Sequence, residues 1–176
     1  MKLSSAKGFS LAETVIAVGV LTTGVLGAAA VLAAGMQNLS SSPGDVVVTQ
    51  KAAQAVEAVF SARDSHKLTW DQIRNDNATP PGIFLHGPQP LKLAGPDGLV
   101  NTADDTTVET VTFPGKDQML GTSDDWTYPL NTYTREIQIT DVSGETDLRK
   151  IVVIVQYQNG KTTRTYTLTT FISSYS

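Results

Sequence analysis

"FSLAETVIAVGVLTTGVLGAAAVLAAGM", residues 9–36, is the stretch that decides the fold, because it is far too apolar for the surface of a soluble domain. From Thr14 to Met36 it runs for 23 residues without a charge. With a rise of about 1.5 Å per residue, a helix of that length can cross a hydrocarbon layer roughly 30 Å thick. Glu13 is the exception, since a carboxylate near the head of such a helix costs about 1–3 kcal/mol on insertion.

Three interpretations of this segment compete. A secretory signal peptide has a shorter apolar core followed by a small-residue cleavage site, and the core here is too long. A plain membrane anchor explains the length and the flanking Lys2 and Lys7, which the positive-inside rule favours on the cytoplasmic side. Neither interpretation gives a reason for Glu13.

The third interpretation rests on a resemblance. "KGFSLAETVIAVGVL" resembles the class III leader of type IV pilins and type II secretion pseudopilins, in which a basic leader ends in Gly and is followed by Phe, then by Glu as the fifth mature residue. The resemblance implies that prepilin peptidase cuts between Gly8 and Phe9 and methylates the new amine. It also implies that Phe9 and Glu13 serve assembly, that the partners are other pilin or pseudopilin subunits, and that the chain waits in the inner membrane with an extracytoplasmic head.

Physical chemistry gives Glu13 a purpose on this interpretation. Cleavage after Gly8 leaves a cationic amine on Phe9 at the membrane boundary, near the level of the Glu13 carboxylate. Each charge is expensive alone in a low dielectric and much cheaper when it is paired. In the family the proposed pairing joins neighbouring subunits, the glutamate of one attracting the amine of the next. The alternative is a carboxylate that snorkels toward the headgroups.

The segments that follow complete an α+β prediction of the pilin-like kind. We divide the chain into a leader at 1–8, an apolar helix at 9–36, a linker with an amphipathic helix at 37–63, and a β-rich head at 64–176. Pro43 and Gly44 are expected to break or kink the helix, and Asp45 to cap a second helix up to about Arg63. Its apolar face is expected to hold Val48, Ala52, Val56, Val59 and Phe60.

Strand patterns fill the C-terminal part. Alternating or continuous β-branched runs lie at 134–140, 149–157 and 163–172, and a further run lies at 107–113. Asn159-Gly160 is a type I′ hairpin signal between two of these runs. The sequence therefore predicts a long N-terminal helix, its first half transmembrane, followed by an antiparallel sheet of about four strands.

The two copies of an acidic repeat lie on either side of the run at 107–113. "GPDGLVNTADD" at 95–105 and "GKDQMLGTSDD" at 115–125 align without gaps at an offset of 20 residues. Residues 94–125 hold seven carboxylates against one lysine. The pattern resembles the acidic loops of many secreted bacterial proteins that are presumed to bind calcium, and Ca²⁺ takes six to eight oxygen ligands from such flexible loops. The candidate ligands are Asp97, Asn101, Asp104, Asp105, Asp117, Asp124 and Asp125, with the first copy as the better site. The alternative is two solvated turns without an ion.

Other functions have little support in the sequence. The chain contains no cysteine, which excludes disulfides and thiolate sites, and a net charge of −4 gives no expectation of nucleic-acid binding. No nucleophile elbow, phosphate loop or zinc motif is present, so an enzyme is not expected, and His66 and His86 are interpreted as surface residues.

We therefore expect a structural subunit of a type IV pilus-like filament, and a minor subunit rather than a major one. A type II secretion pseudopilin is the alternative within the family. A membrane-anchored calcium-binding periplasmic module is the alternative from another class. Cleavage after Gly8 distinguishes the pilin and pseudopilin interpretations from the anchored module.

Overall fold

The computed structural model describes residues 10–160 and 162–175, with the side chains of 37–43 excepted. The leader residues and Phe9 lie outside this part of the chain. The contacts divide the chain into two compact units, Met1–Ser42 and Pro43–Ser176. In chain order the elements are a helix α1 (Leu11–Asp64), a 3₁₀ turn (Trp70–Gln72), and strands β1 (Gln89–Pro90), β2 (Thr110–Phe113), β3 (Trp126–Pro129), β4 (Tyr133–Asp141), β5 (Leu148–Asn159) and β6 (Thr162–Ser173).

Of the break or kink predicted near Pro43, the break is wrong, because helical backbone extends from Leu11 to Asp64. A proline inside a helix costs about 3 kcal/mol, and the next two residues, Gly44 and Asp45, both contact Tyr157 of β5. Asp45 does not cap a helix. Its carboxylate accepts a hydrogen bond from the Tyr157 hydroxyl at 2.7 Å. Gly44 lies so close to the Tyr157 ring that an added Cβ would come within 2.5 Å of it.

The part of α1 within the second unit presents an apolar stripe to the sheet. The buried helix residues recur at intervals of three and four, which is the spacing of one helix face. They are Val48, Ala52, Ala55, Val59 and Ala62, with Val47 also buried beside the first of them. Val56 and Phe60, predicted for this face, lie at its margin and are only partly buried. Small alanines occupy the centre, where they permit close approach of helix and sheet.

The main sheet is antiparallel, with strand order β1-β4-β5-β6. The inner face of β5 contributes Ile151, Val153 and Val155, each fully buried against the helix. The prediction of a four-stranded antiparallel sheet after an N-terminal apolar helix is confirmed in this layout. The fourth strand, however, was assigned wrongly.

The run at 107–113 does not join the main sheet. Its strand β2 pairs with β3 as a separate two-stranded ribbon, and the two-residue β1 takes the place beside β4. Backbone bonds at Glu109 explain the divergence: its N–H donates to Leu91 O at 3.0 Å and its carbonyl accepts from Leu130 N–H at 2.8 Å. Glu109 is thus bonded to two other segments just before β2 begins. Strand β3 was not predicted from the sequence, because "WTYP" is short and ends in proline.

The hairpin predicted at Asn159-Gly160 lies one residue further along. Asn159 still belongs to β5 and pairs with Thr162 of β6. Gly160, with φ of 61°, is therefore the first residue of the two-residue connection, where a left-handed backbone is needed. The second residue of that connection, at 161, lies outside the described part of the chain.

Candidate assembly segment and acidic loops

Glu13 has a local structural role at the start of α1. The Ser10 N–H donates to Glu13 Oε2 at 3.0 Å, and the Glu13 N–H donates to Ser10 Oγ at 3.2 Å. This reciprocal pair is a capping box, which satisfies two backbone donors that a helix start leaves without partners. The signal was present in the sequence as Ser-x-x-Glu and was missed. Gly8 and Phe9, the other predicted processing and assembly residues, lie outside the described part of the chain.

The apolar part of α1 is exposed along its described length. Leu11–Met36 is long and apolar enough to cross a membrane, and every residue in it is exposed. Its threonine hydroxyls bond within the helix, Thr22 to Val18 O at 2.7 Å and Thr23 to Val20 O at 2.9 Å. The segment is therefore suited to lipid or to packing against other helices, because its polar groups have partners already.

The two acidic copies fold into the same loop. Positive φ angles recur at equivalent positions, 76° at Gly98 and 58° at Gln118, and again 61° at Asn101 and 90° at Gly121. Each copy thus has one glycine and one larger residue among its two left-handed positions. The gapless alignment at an offset of 20 residues corresponds to a duplicated backbone conformation.

The last aspartate of each copy closes its loop by accepting backbone N–H groups. Asp105 accepts from Gly95 at 2.9 Å and from Asn101 at 2.7 Å. Asp125 accepts from Gly115 at 3.3 Å and from Gly121 at 2.6 Å. Burial raises the pKa of Asp105, although these backbone donors and the nearby Arg135 charge oppose the rise. In both copies this carboxylate accepts the backbone hydrogen bonds that close the turn.

The preceding aspartate of each copy is held by a threonine. Thr102 Oγ1 donates to Asp104 Oδ1 at 2.6 Å, and Thr122 Oγ1 donates to Asp124 Oδ1 at 2.7 Å. These hydroxyl bonds lower the pKa of Asp104 and of Asp124 below the usual aspartate value. Both carboxylates therefore stay ionised at neutral pH, as ligands for a hard cation must be.

The copies differ in how they attach to the head. Asn101 is buried, donates through Nδ2 to Arg135 O at 2.7 Å, and accepts from Arg135 Nε at 2.7 Å. Gly121 has no side chain with which to make such an attachment. Burial lowers the pKa of Arg135 to about 10, with Glu109 and Asp105 opposing the shift, and the guanidinium remains charged at neutral pH. The first loop is thereby anchored to β4.

The predicted calcium ligands come together in the second copy. Oxygens of Asp117, Asp124 and Asp125 lie within 4.8 Å of one another, and this is the one such group of three among the described residues. The expectation that the first copy is the better site stays a prediction, although its three aspartates do not form such a group. The Asn101 amide of the first copy bonds Arg135, whereas Asp105 and Asp125 accept equivalent backbone N–H groups in the two copies. Asp97 accepts the Leu99 N–H at 2.7 Å, and Asp117 accepts the Met119 N–H in the same way at 2.9 Å.

Two buried arginines and one ion pair were not identified from the sequence. Arg149 Nε bonds Asp141 Oδ1 at 2.8 Å, and its Nη1 bonds the Ile73 carbonyl at 3.0 Å and the Trp70 carbonyl. Lys51 of α1 forms an ion pair with Glu109, both side chains being largely buried. The available signal was strand alternation, which places Arg135 on the face of Ile137 and Arg149 on the face of Ile151.

The two histidines are exposed, as expected for surface residues. His86 Nδ1 lies 2.7 Å from Asp76 Oδ1, and this contact lowers the pKa of Asp76. His66 has a left-handed backbone just after α1, with φ of 57°. Neither belongs to a group of three candidate metal ligands within the described residues.

Comparisons with protein-family models, with curated proteins and with solved structures give no match for this chain.

Proposed function

We propose that this chain is a structural subunit of a type IV pilus-like filament, processed after Gly8 and assembled through its N-terminal helix. The observation that carries the proposal is the exposed, membrane-length helix Leu11–Met36 with a single charge, Glu13, at its head. A soluble monomer has no use for so large an apolar surface, whereas a membrane-stored subunit buries it first in lipid and then against other helices. A type II secretion pseudopilin uses the same helix and processing, and remains the alternative within this class.

Because Glu13 belongs to a capping box, its test has to separate the helix cap from the charge. Glutamine fills the same position in capping boxes, so Glu13→Gln keeps the helix cap while it removes the charge. Glu13→Val removes both. We expect both variants to lose incorporation into filaments by about tenfold or more, because an unpaired amine in a low dielectric costs well over 1.4 kcal/mol. Immunoblots of sheared filaments and of membranes, compared with the wild-type chain, measure the incorporated fraction.

The contrast between these variants separates charge from capping. Normal incorporation of Glu13→Gln, with loss only for Glu13→Val, would assign Glu13 to the helix cap and remove its role in assembly. Ser10→Ala is the matched control, because it weakens the cap by about 1 kcal/mol without touching the carboxylate charge.

A membrane-anchored calcium-binding module is the second candidate, and the Asp117, Asp124 and Asp125 cluster favours it. Extracellular calcium sites have dissociation constants of about 0.1–1 mM. At 10 mM Ca²⁺ such a site would add roughly 1.4–2.7 kcal/mol to the free energy of unfolding. We expect the detergent-solubilised chain to melt at a higher temperature with Ca²⁺ than with chelator.

The matched control exchanges one ligand in each copy. Asp117→Asn is expected to abolish the calcium-dependent rise in melting temperature, and Asp97→Asn to leave it intact. Identical melting of the wild-type chain in Ca²⁺ and in chelator would reduce both loops to turns. That result would leave the filament proposal unaffected, since assembly through the helix does not involve the loops.

A further inference from the structure

Strand β6 forms a long and unprotected edge of the main sheet. It lies last in the order β1-β4-β5-β6 and extends from Thr162 to Ser173. Natural sheets protect edges with proline, charges or short strands. The opposite edge follows this rule, because β1 has two residues and one of them is Pro90. Strand β6 has no proline and no acidic residue, and its one charge is Arg164.

The register identifies which groups are available at this edge. Residues that flank a two-residue connection form a hydrogen-bonded pair, so Asn159 and Thr162 bond to each other across the hairpin. The odd-numbered residues of β6 therefore direct their N–H and C=O groups away from β5. The bond from Arg63 Nη1 to Ser173 O at 3.0 Å agrees with this direction. The outward residues before Ser173 are Thr163, Thr165, Thr167, Thr169 and Phe171.

The β2–β3 ribbon, in turn, lacks a third strand. Two strands alone are marginally stable, and a third strand is usually needed. Phe113 stacks on Trp126 with ring centroids 4.5 Å apart, yet Trp126 remains 55% exposed and Tyr128 45% exposed. The loop between the strands exposes Met119 to 64%, whereas its equivalent in the first copy, Leu99, is 2% exposed. The second copy thus presents apolar groups that the first copy buries.

We propose that β6 of one copy pairs with the β2–β3 ribbon of a second copy, extending the sheet between subunits. Charge supports this occupant, because antiparallel pairing of β2 with β6 brings the acidic loop, which holds three aspartates and one lysine, beside Arg164. Arg164 is 42% exposed, and its contact with Asp45 of its own chain is long, at 3.6 Å. The contact joins different surfaces of the two copies, and such contacts form open chains when the rotation does not close. The inference rests on the proposed function and adds a contact between heads to the helix contact.

Disulfide cross-linking of the full chain in detergent tests this pairing, and the chain has no native cysteine to interfere. Thr167→Cys is mixed with Thr112→Cys or Thr127→Cys, which lie opposite each other on the ribbon. Cysteines link when their Cα atoms approach within about 4.4–6.8 Å. Thr140→Cys, exposed on β4, replaces Thr167→Cys as the control.

We expect the β6–ribbon mixtures to give at least about tenfold more mixed dimer than the control, the ratio that about 1.4 kcal/mol produces. Adding Thr165→Pro to the Thr167→Cys chain removes an outward N–H and is expected to return the yield to the control level. Thr165→Val, which keeps the N–H, is expected to preserve the yield. Equal yields in all mixtures, or linkage of Thr167→Cys mainly to itself, would overturn the proposal. Neither result bears on processing after Gly8, which is read separately from the N-terminus.

Discussion

Asp105→Ala is expected to lower the free energy of unfolding by about 3–5 kcal/mol, because it leaves the buried N–H groups of Asn101 and Thr102 and the part-buried N–H of Gly95 without this acceptor. Asp105 is 6% exposed and accepts from Gly95 and Asn101. It also lies near Arg135, whose guanidinium is buried and would lose a neighbouring negative charge. The measurement is thermal or urea unfolding of the detergent-solubilised chain, followed by circular dichroism of the sheet.

The duplicated loop supplies the control for this prediction. Asp125 accepts the equivalent N–H groups, but its loop is more exposed and is not anchored to β4. Water can replace the lost acceptor there, so Asp125→Ala is expected to cost about 1 kcal/mol. Equal destabilisation by the two substitutions would contradict our account that the first loop is part of the core and the second is not.

Arg149→Met is expected to cost about 3 kcal/mol and to lower the melting temperature by roughly 10 °C. The Arg149 side chain is fully buried, and its guanidinium carbon lies 4.0 Å from the centroid of the Trp70 ring. Methionine would fill most of the volume but would remove the donor to the Ile73 carbonyl and one of the two donors to the Trp70 carbonyl, which also accepts the Ile73 N–H at 3.2 Å. The loss would loosen the connection between the 3₁₀ turn and β5, which Trp70 near-ultraviolet circular dichroism reports.

Lys150→Met is the neighbouring control, because Lys150 is exposed on the opposite face of β5. It is expected to change the unfolding free energy by less than about 0.5 kcal/mol. If Arg149→Met melted at the wild-type temperature with its sheet intact, the buried arginine would not hold the turn against the sheet.

The local sequence pattern was sufficient to predict those elements whose structure is determined by residues within the same segment. The uncharged run from Thr14 to Met36 predicts an exposed apolar helix, and alternation in 134–140 and 163–172 predicts β4 and β6. The acidic alignment predicts two equivalent loops, which the matching φ angles confirm. In each case the information lies within one segment.

Features that depend on distant partners could not be predicted in the same way. Pro43 and Gly44 were expected to break or kink the helix. The contacts of Gly44 and Asp45 come from Tyr157, more than 110 residues away, and the local sequence does not show them. The difference between the loops likewise depends on Arg135, which pairs with Asn101 and has no counterpart at Gly121. Alternation places Arg135 and Arg149 inward, but their acceptors lie in loops without a pattern.

The most direct test of the account is peptide mass spectrometry of this chain's N-terminus in filaments sheared from the cells that produce it. The account predicts a terminus at Phe9, methylated on its amine, in the filament fraction. Such a terminus would establish processing and assembly together, and its abundance would separate a major from a minor subunit. An uncut Met1 terminus confined to the membrane fraction, with no copy in filaments, would contradict the account and favour the anchored module.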